Sequence, residues 1–494
     1  MSKELSVTLI QPPKPKSLLL KTRRQWVRPL GLHYMAAWLK KLDCKVKILD
    51  FEKDLVSQSE RTTILRDNPA NLFGITSTTY TRFEAIKIAM DIKRIFPKSV
   101  VIAGGVHFMF VAKDTLSSID DIDIVCIGEG EHVITSVAKA IASGKNLQQL
   151  DDIPGIAFRK DGKIIMTPPQ PIVKDIDQFP FYTGFKWDDY PEYVDVGGQS
   201  LKAMTIITSR GCPNRCAFCS MGGSSFRTRS PGNVADEIEY FIGRFGIQAV
   251  HFFDSTFAAS PKHCSAVVNE IINRKLKIKW SCGLRADTPT DLLPLMKEAG
   301  LVSFTLGIES GSPDILKSIS KGITLEQTEG IIAQAEQLDI RVSPFFMLSH
   351  PDETFEKALE TLEFRNRIKK YHNLNPMSFS VTMIFPGTEV ERLAKQRGIL
   401  AEDFSWSSPY QSNISERLVM GENVPIYIEK MTPSQIEKIL KIDKFNSIQI
   451  AHSFPSLVWT GIHTIFAKRD FHSLYYYLSL LLNYISYKIR RRLS

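Results

Sequence analysis

Residues 203–223 read AMTIITSRGCPNRCAFCSMGG, an apolar run that passes without a break into a loop carrying Cys212, Cys216 and Cys219. The β-branched run predicts a buried strand, which sets the three cysteines, spaced CxxxCxxC, on the loop at its C-terminal end. Barrel enzymes keep their chemistry at that end of their strands. Three thiolates on one short loop can each hold one iron of a cubane cluster, and the fourth iron is then left without a protein ligand. An iron so exposed can bind a substrate or a cofactor. A structural zinc site, the plainer use of clustered cysteines, pairs one CxxC with a second or with two histidines, and no such partner follows nearby.

Downstream of this loop the alternation continues, with strands expected at about 248–253, 278–284, 302–307, 341–347 and 378–384 and helices between them. Together with 203–208 these make six strand–helix units, too few for the eight-unit closed barrel, so 201–390 reads as a partial six-unit barrel. Ser230-Pro231 and Ser312-Pro313 each place a capping hydroxyl before a proline at the first helical position. Upstream, residues 1–145 alternate short Val/Ile-rich runs (6–10, 45–49, 72–76, 100–104, 123–127) with helical stretches near 31–43, 81–95, 107–118 and 131–143. That is the pattern of βαβ units on a parallel sheet, a doubly wound Rossmann-like domain. Residues 146–200 form a hairpin around Asp161-Gly162 and an aromatic, proline-rich linker, and 391–494 a mostly helical C-terminal region. The fold class is α/β.

The whole chain has 494 residues, 43% hydrophobic and 23% charged, which excludes a fibrous, wholly disordered or polytopic membrane protein. Lys and Arg number 62 against 53 Asp and Glu, a net charge of +9 that permits anionic partners without demanding nucleic acid, and no nucleic-acid partner is expected. Seven cysteines, an odd number with three clustered, argue against a disulfide framework. MSKELSVTLIQPP has no apolar core of signal-peptide length, so the expected location is the cytoplasm. Cys44, Cys126, Cys264 and Cys282 read as small buried hydrophobes.

The cysteine loop resembles the defining CxxxCxΦC pattern of the radical S-adenosylmethionine (radical SAM) superfamily, with Phe218 as the aromatic. FFDSTF (252–257), GLRAD (283–287), GIESG (307–311), PFFMLSHPDET (344–354) and FPGT (385–388) resemble that family's later barrel motifs, in order, each at an expected strand end. The resemblance implies a 4Fe-4S cluster on Cys212, Cys216 and Cys219. Its open iron would chelate S-adenosylmethionine, whose reductive cleavage yields a radical that takes hydrogen from an unactivated carbon. It further implies that Phe218 lies against the adenine, that Asp254 holds the methionyl ammonium, that Arg285 pairs with the methionyl carboxylate, and that Glu309 and Ser310 reach the ribose hydroxyls or the amine. Where the family usually has glycine, Ser349-His350 precede Pro351, which makes His350 a candidate acid or base.

In the N-terminal domain the strand ends carry QPPKPK, DFEKD, TSTTYT, GGVHFMF and GEGEH. A doubly wound sheet binds its ligand beyond those ends, and glycine-rich turns with the hydroxyls of Ser77, Thr78 and Thr79 suit a large cofactor. No GxGxxG follows the first strand, so a dinucleotide is weakly supported. The order LIQPP, RPLGLHYMAAWL, VVIAGGVHFMF, IGEGE and IPGIAFRKDGKI resembles the cobalamin-binding domain fused to many radical SAM enzymes. That implies cobalamin held by Ser77, Thr78, Gly104, Gly105, Gly128, Glu129 and Gly130. The DxHxxG of the methionine-synthase type is absent, so cobalt would be bound without a protein imidazole.

FHSLYYYLSLLLNYISY (471–487), followed by KIRRRLS, is short for a bilayer span and reads either as a helix on a membrane surface or as a core helix of the C-terminal region. The resemblances imply a cobalamin-dependent radical SAM methyltransferase acting on an unactivated carbon of a small, lipid-like substrate, served by a reductant such as flavodoxin or ferredoxin. The alternatives are a non-methylating relative of the anaerobic magnesium-protoporphyrin monomethyl ester cyclase, which has the same domain order, and a cobalamin or redox sensor without catalysis.

Overall fold

The computed structural model describes residues 5–14, 28–54, 56–182, 184, 192–196, 199–408, 424–440 and 442. The first sheet contains β1 (Ser6–Gln11), β2 (Lys45–Asp50), β3 (Leu72–Thr76), β4 (Val100–Gly104), β5 (Ile124–Cys126), β6 (Ile156–Lys160) and β7 (Lys163–Met166), in the order β2-β1-β3-β4-β5-β6-β7. β1 to β5 are parallel and the last two strands antiparallel. Successive residues point to opposite faces, and both faces are covered. Val7, Leu9, Leu72 and Ile102 pack under helices Leu30–Lys40 and Gly130–Ala142, while Ile10, Phe73, Val101 and Ala103 pack under Arg82–Ile95 and Ala112–Ser118. The β6–β7 hairpin turns at Asp161 and Gly162, with φ of 48° and 73°, the left-handed pair a tight two-residue turn requires.

The second sheet is the expected partial barrel. β9 (Gln199–Ile206), β12 (Ala249–Phe252), β13 (Lys279–Arg285), β14 (Leu301–Glu309), β15 (Arg341–Leu348) and β16 (Ser378–Val381) lie parallel in chain order, with β8 (Tyr193–Val196) antiparallel at the β9 edge. Val342 and Phe346 of β15 enter the core under the helices, whereas Phe345, 48% exposed, faces the other side. A two-stranded hairpin, β10 (Ser209–Cys212) with β11 (Ser224–Thr228), stands at the mouth of this sheet.

Several expectations need correction. The helix expected at 107–118 is two pieces, Gly105–Phe108 and Ala112–Ser118, because the chain leaves β4 through Gly105 at φ +87° and turns again before Ala112. Ser230 accepts from the Asn233 N–H as a cap should, but Ser312 makes no capping bond; it is buried, and its own N–H donates to Ser310 Oγ at 3.1 Å. β-structure continues beyond residue 388, since Ile426 bridges to Met383 and Tyr427 N–H donates to Thr382 O at 2.8 Å. The tail at 471–494 lies outside the described residues.

The two sheets are not independent bodies. One apolar cluster runs from Phe73, Ile75, Ala103 and Phe108 of the first through Ala217 of the cysteine loop to Ile315, Ile319 and Val390 beside the barrel.

Candidate active site

The cysteine loop is the turn of the β10–β11 hairpin, whose last paired residues are Cys212 and Ser224. At Gly211, φ +82°, any Cβ would run into the carbonyl oxygen of Ser225, so only glycine lets the two strands pass. The loop then closes on itself: Cys219 N–H donates to Cys216 O at 3.1 Å, Gly222 N–H to Cys219 O at 3.1 Å and Gly223 N–H to Asn214 O at 2.7 Å. Buried Ala217 straps it to its surroundings, donating to Ile319 O at 2.9 Å and accepting from Val390 N–H at 3.1 Å. Among the described residues no three His, Cys, Asp or Glu side chains converge where a single metal ion would sit. A cubane takes each cysteine on a different iron, and the three thiolates of this loop would supply three of its four.

Around the loop the strand ends bring charged groups together, mostly with one another. Asp254, after β12, accepts at Oδ1 from Thr208 N–H (3.0 Å), Thr208 Oγ1 (3.1 Å) and Ser209 N–H. Burial raises its carboxyl to about 6 against those hydrogen bonds, which lower it. It ties the end of β9 to the start of the hairpin. Arg285, ending β13, spends Nε and Nη2 on the two oxygens of Asp287 (3.0 and 3.1 Å) and Nη2 also on Lys321 O (2.6 Å). Its Nη1 lies 3.6 Å from Cys216 Sγ, so of the expected ligand residues it stands directly beside the cluster loop, with its fork already occupied.

Glu309, at φ +70°, pairs with Lys321 at 2.7 Å, and both are buried. Lys321 Nζ lies 5.8 Å from the centre of the Phe218 ring. Sequence reasoning passed over this lysine and Asp287. Ser310 is buried and bonded to Thr361 Oγ1 at 3.0 Å, where its hydroxyl braces the loop. His350 is also buried, with Nδ1 3.0 Å from Thr382 Oγ1 and its ring 6.2 Å from Phe218. Burial lowers it to about 3. In this setting it is a neutral imidazole packed behind Phe218.

The first sheet carries a cavity of about 210 Å³ lined by Leu9, Gly31, Met35, Gly74, Thr76, Gly104, Gly105, Cys126, Gly128, Gly130 and Glu131 among others. It lies between the strands and the helices Leu30–Lys40 and Gly130–Ala142. Four of the expected residues, Gly104, Gly105, Gly128 and Gly130, line it. At Gly105 a Cβ would stand 2.7 Å from Ser77 O, and at Gly74 2.9 Å from Leu9, so the backbone packs closely there, while at Gly31 and Gly128 a Cβ would meet nothing within 4 Å. No histidine is in the lining. A cradle made by missing side chains, with apolar walls and one carboxylate, fits part of a cofactor as large as cobalamin. The other three residues are placed otherwise. Ser77 is buried, its Oγ donating to Thr78 O at 2.7 Å; Thr78 is exposed outside the lining. Glu129 pairs with Arg227 at 2.5 Å and lies outside the cavity lining. Burial raises Glu129 but Arg227 and Arg210 hold it below the usual range.

Comparison with known proteins agrees with this geometry. The B12 binding domain family matches residues 16–138 and the radical SAM superfamily residues 206–365. An uncharacterized methyltransferase of Pyrococcus horikoshii is 28% identical over 81% of this chain and 85% of its own. The anaerobic magnesium-protoporphyrin IX monomethyl ester cyclase of Rubrivivax gelatinosus is 28% identical over 67% of this chain, which spans only 61% of the cyclase. In fold, the radical S-adenosylmethionine methyltransferase TsrM of Kitasatospora setae, solved with cobalamin and a [4Fe-4S] cluster, superposes with a TM-score of 0.69 at 17% identity, covering 89% of this chain and 91% of its own. With a B12-binding unit before a radical SAM unit, the chain belongs to the radical SAM enzymes that carry a cobalamin-binding domain, and its cofactors are a 4Fe-4S cluster, S-adenosylmethionine and cobalamin.

Proposed function

We propose that this enzyme methylates an unactivated carbon of a small molecule. The observation that carries the reading is the junction of the two sites, in which a carboxylate in the cavity wall, Glu131, is bonded at 2.6 Å to Arg210 on the hairpin that bears the cluster cysteines. When bound, the cluster supplies the electron that splits S-adenosylmethionine into methionine and a hydrogen-abstracting radical, and cobalamin supplies a methyl group taken from a second S-adenosylmethionine. The chain's residues bind and orient. Cys212, Cys216 and Cys219 hold three irons, Phe218 offers a face to the adenine, and the Glu309–Lys321 pair fixes a charge beside that face. Arg285 can take a methionyl carboxylate only by exchanging its fork with Asp287. The methyltransferase name of the Pyrococcus relative supports this reading.

The cyclase relatives support a second reading, hydrogen abstraction without methyl transfer. The two differ in what becomes of S-adenosylmethionine. Reconstituted enzyme given a low-potential reductant, flavodoxin or ferredoxin, with hydroxocobalamin and methyl-deuterated S-adenosylmethionine is expected to form S-adenosylhomocysteine only when cobalamin is present. Formation of 5′-deoxyadenosine with no S-adenosylhomocysteine would favour the cyclase reading. A lipid-like substrate rests on the 471–494 tail alone. No helix among the described residues is long and apolar enough to cross a membrane.

A further inference from the structure

We infer that Arg210 and Arg227 are positioning residues that lock the cluster hairpin to the wall of the cobalamin cavity and so fix the placement of one cofactor relative to the other. The two arginines are direct cross-strand partners in the β10–β11 register. Like charges in that position destabilise a hairpin, so the hairpin alone gives no reason for the pair. The reason lies on the other unit. Glu129 accepts from Arg227 through both oxygens, at 2.5 and 3.1 Å, Glu131 accepts from Arg210 at 2.6 Å, and Glu129 also lies 3.6 Å from Arg210. The two glutamates flank Gly130 at the start of helix Gly130–Ala142, where the positive end of the helix favours them. Gly128, Gly130 and Glu131 are themselves cavity wall.

The link is stiff at both ends. The Arg210 guanidinium lies 4.2 Å from the centre of the Phe179 ring and 5.7 Å from that of Tyr34, and it and Glu131 keep only 14% and 7% of their side-chain exposure. One residue, Gly211, separates Arg210 from Cys212, and its crossing with Ser225 leaves no slack. Removing either partner leaves a buried charge uncompensated, and the displaced guanidinium moves the first cluster ligand.

The inference rests on the cavity being the cobalamin site, and the test separates the two. Wild type, Arg210→Gln, Glu131→Gln, the milder Arg227→Gln, and the exchanged double variant Arg210→Glu with Glu131→Arg are reconstituted anaerobically with iron, sulfide and hydroxocobalamin. Each is then reduced until cob(II)alamin and the cluster are both paramagnetic. Cofactor contents are measured alongside the dipolar interaction between the two centres, which falls with the cube of their separation. The single variants are expected to keep both cofactors and lose most of the wild-type interaction, with recovery in the exchanged pair. An unchanged interaction in Arg210→Gln and Arg227→Gln, with both cofactors retained, overturns the positioning role and leaves the arginines as interdomain glue. Wild-type protein that takes up cluster but no hydroxocobalamin overturns the cavity reading, and the positioning role with it.

Discussion

The two C-terminal strand edges of this molecule are built in opposite ways. The edge of the first sheet ends in Gly104-Gly105 and Gly128-Glu129-Gly130, and its cavity exists because side chains are missing. The edge of the half-barrel ends in Asp254, Arg285 and Glu309, whose charges are bonded to Ser209, Asp287 and Lys321. One edge is prepared by shape and the other by charge. The difference teaches what each can tolerate: the first is damaged by adding atoms, the second by removing them.

The largest expected effect comes from the cysteines. Replacing Cys212, Cys216 and Cys219 together with Ala should abolish iron and sulfide after reconstitution, whereas Cys282→Ala, at a buried thiol on β13, should leave them; loss of the cluster in Cys282→Ala would break the assignment. Next comes a buried acid on the charged edge. Glu353 is buried with Oε1 unpartnered and Oε2 accepting from His350 N–H at 3.0 Å, and burial pushes it up to about 7. A carboxyl whose folded pKa stands above its unfolded value contributes fully below about 4.5, and that contribution is lost as pH rises through 7, about 3 kcal/mol in all. Glu353→Gln should therefore flatten the fall in stability between pH 5 and pH 8, as read by denaturant melts. Equal pH slopes in the two proteins would refute the burial argument.

On the shape-built edge, Gly31 lines the cavity and a Cβ there meets nothing within 4 Å. Gly31→Leu should project into the space without strain, weakening hydroxocobalamin binding about 100-fold, ~2.7 kcal/mol, with cluster content unchanged. Gly31→Ala is the control that should bind as wild type. The smallest effect is expected at Lys321→Met, which removes the cation beside Phe218 and leaves buried Glu309 without its partner. The KM for S-adenosylmethionine should rise about tenfold, ~1.4 kcal/mol, with cobalamin uptake unaltered.

Much of this was legible in the sequence where the signal is local. The six parallel barrel strands follow from β-branched runs, the cluster loop from cysteine spacing, and the β6–β7 turn from Asp161-Gly162. What stayed hidden depends on contacts between distant residues. Glu129 meets Arg227 across 98 positions, and Arg285 meets the Lys321 carbonyl across 36. Motif resemblance therefore pointed to Asp254, Ser310 and Glu129 without showing the protein partners that each of them meets. The β10–β11 strands, SRGC and SSFRT, carry no apolar alternation to betray them. Ser230-Pro231 and Ser312-Pro313 look alike as strings, yet only Ser230 sits where its hydroxyl meets a free helical N–H; Ser312 is enclosed beside Ser310.

The central claim is that one chain holds a cluster and cobalamin in sites that meet at the hairpin. Iron, sulfide and cobalt measured on a single sample of anaerobically reconstituted protein test it most directly. The account predicts a [4Fe–4S] complement with about one cobalt per chain, the cobalt being lost in Gly31→Leu while the iron remains. A full cluster with no cobalt, or cobalt uptake that Gly31→Leu leaves untouched, would contradict it.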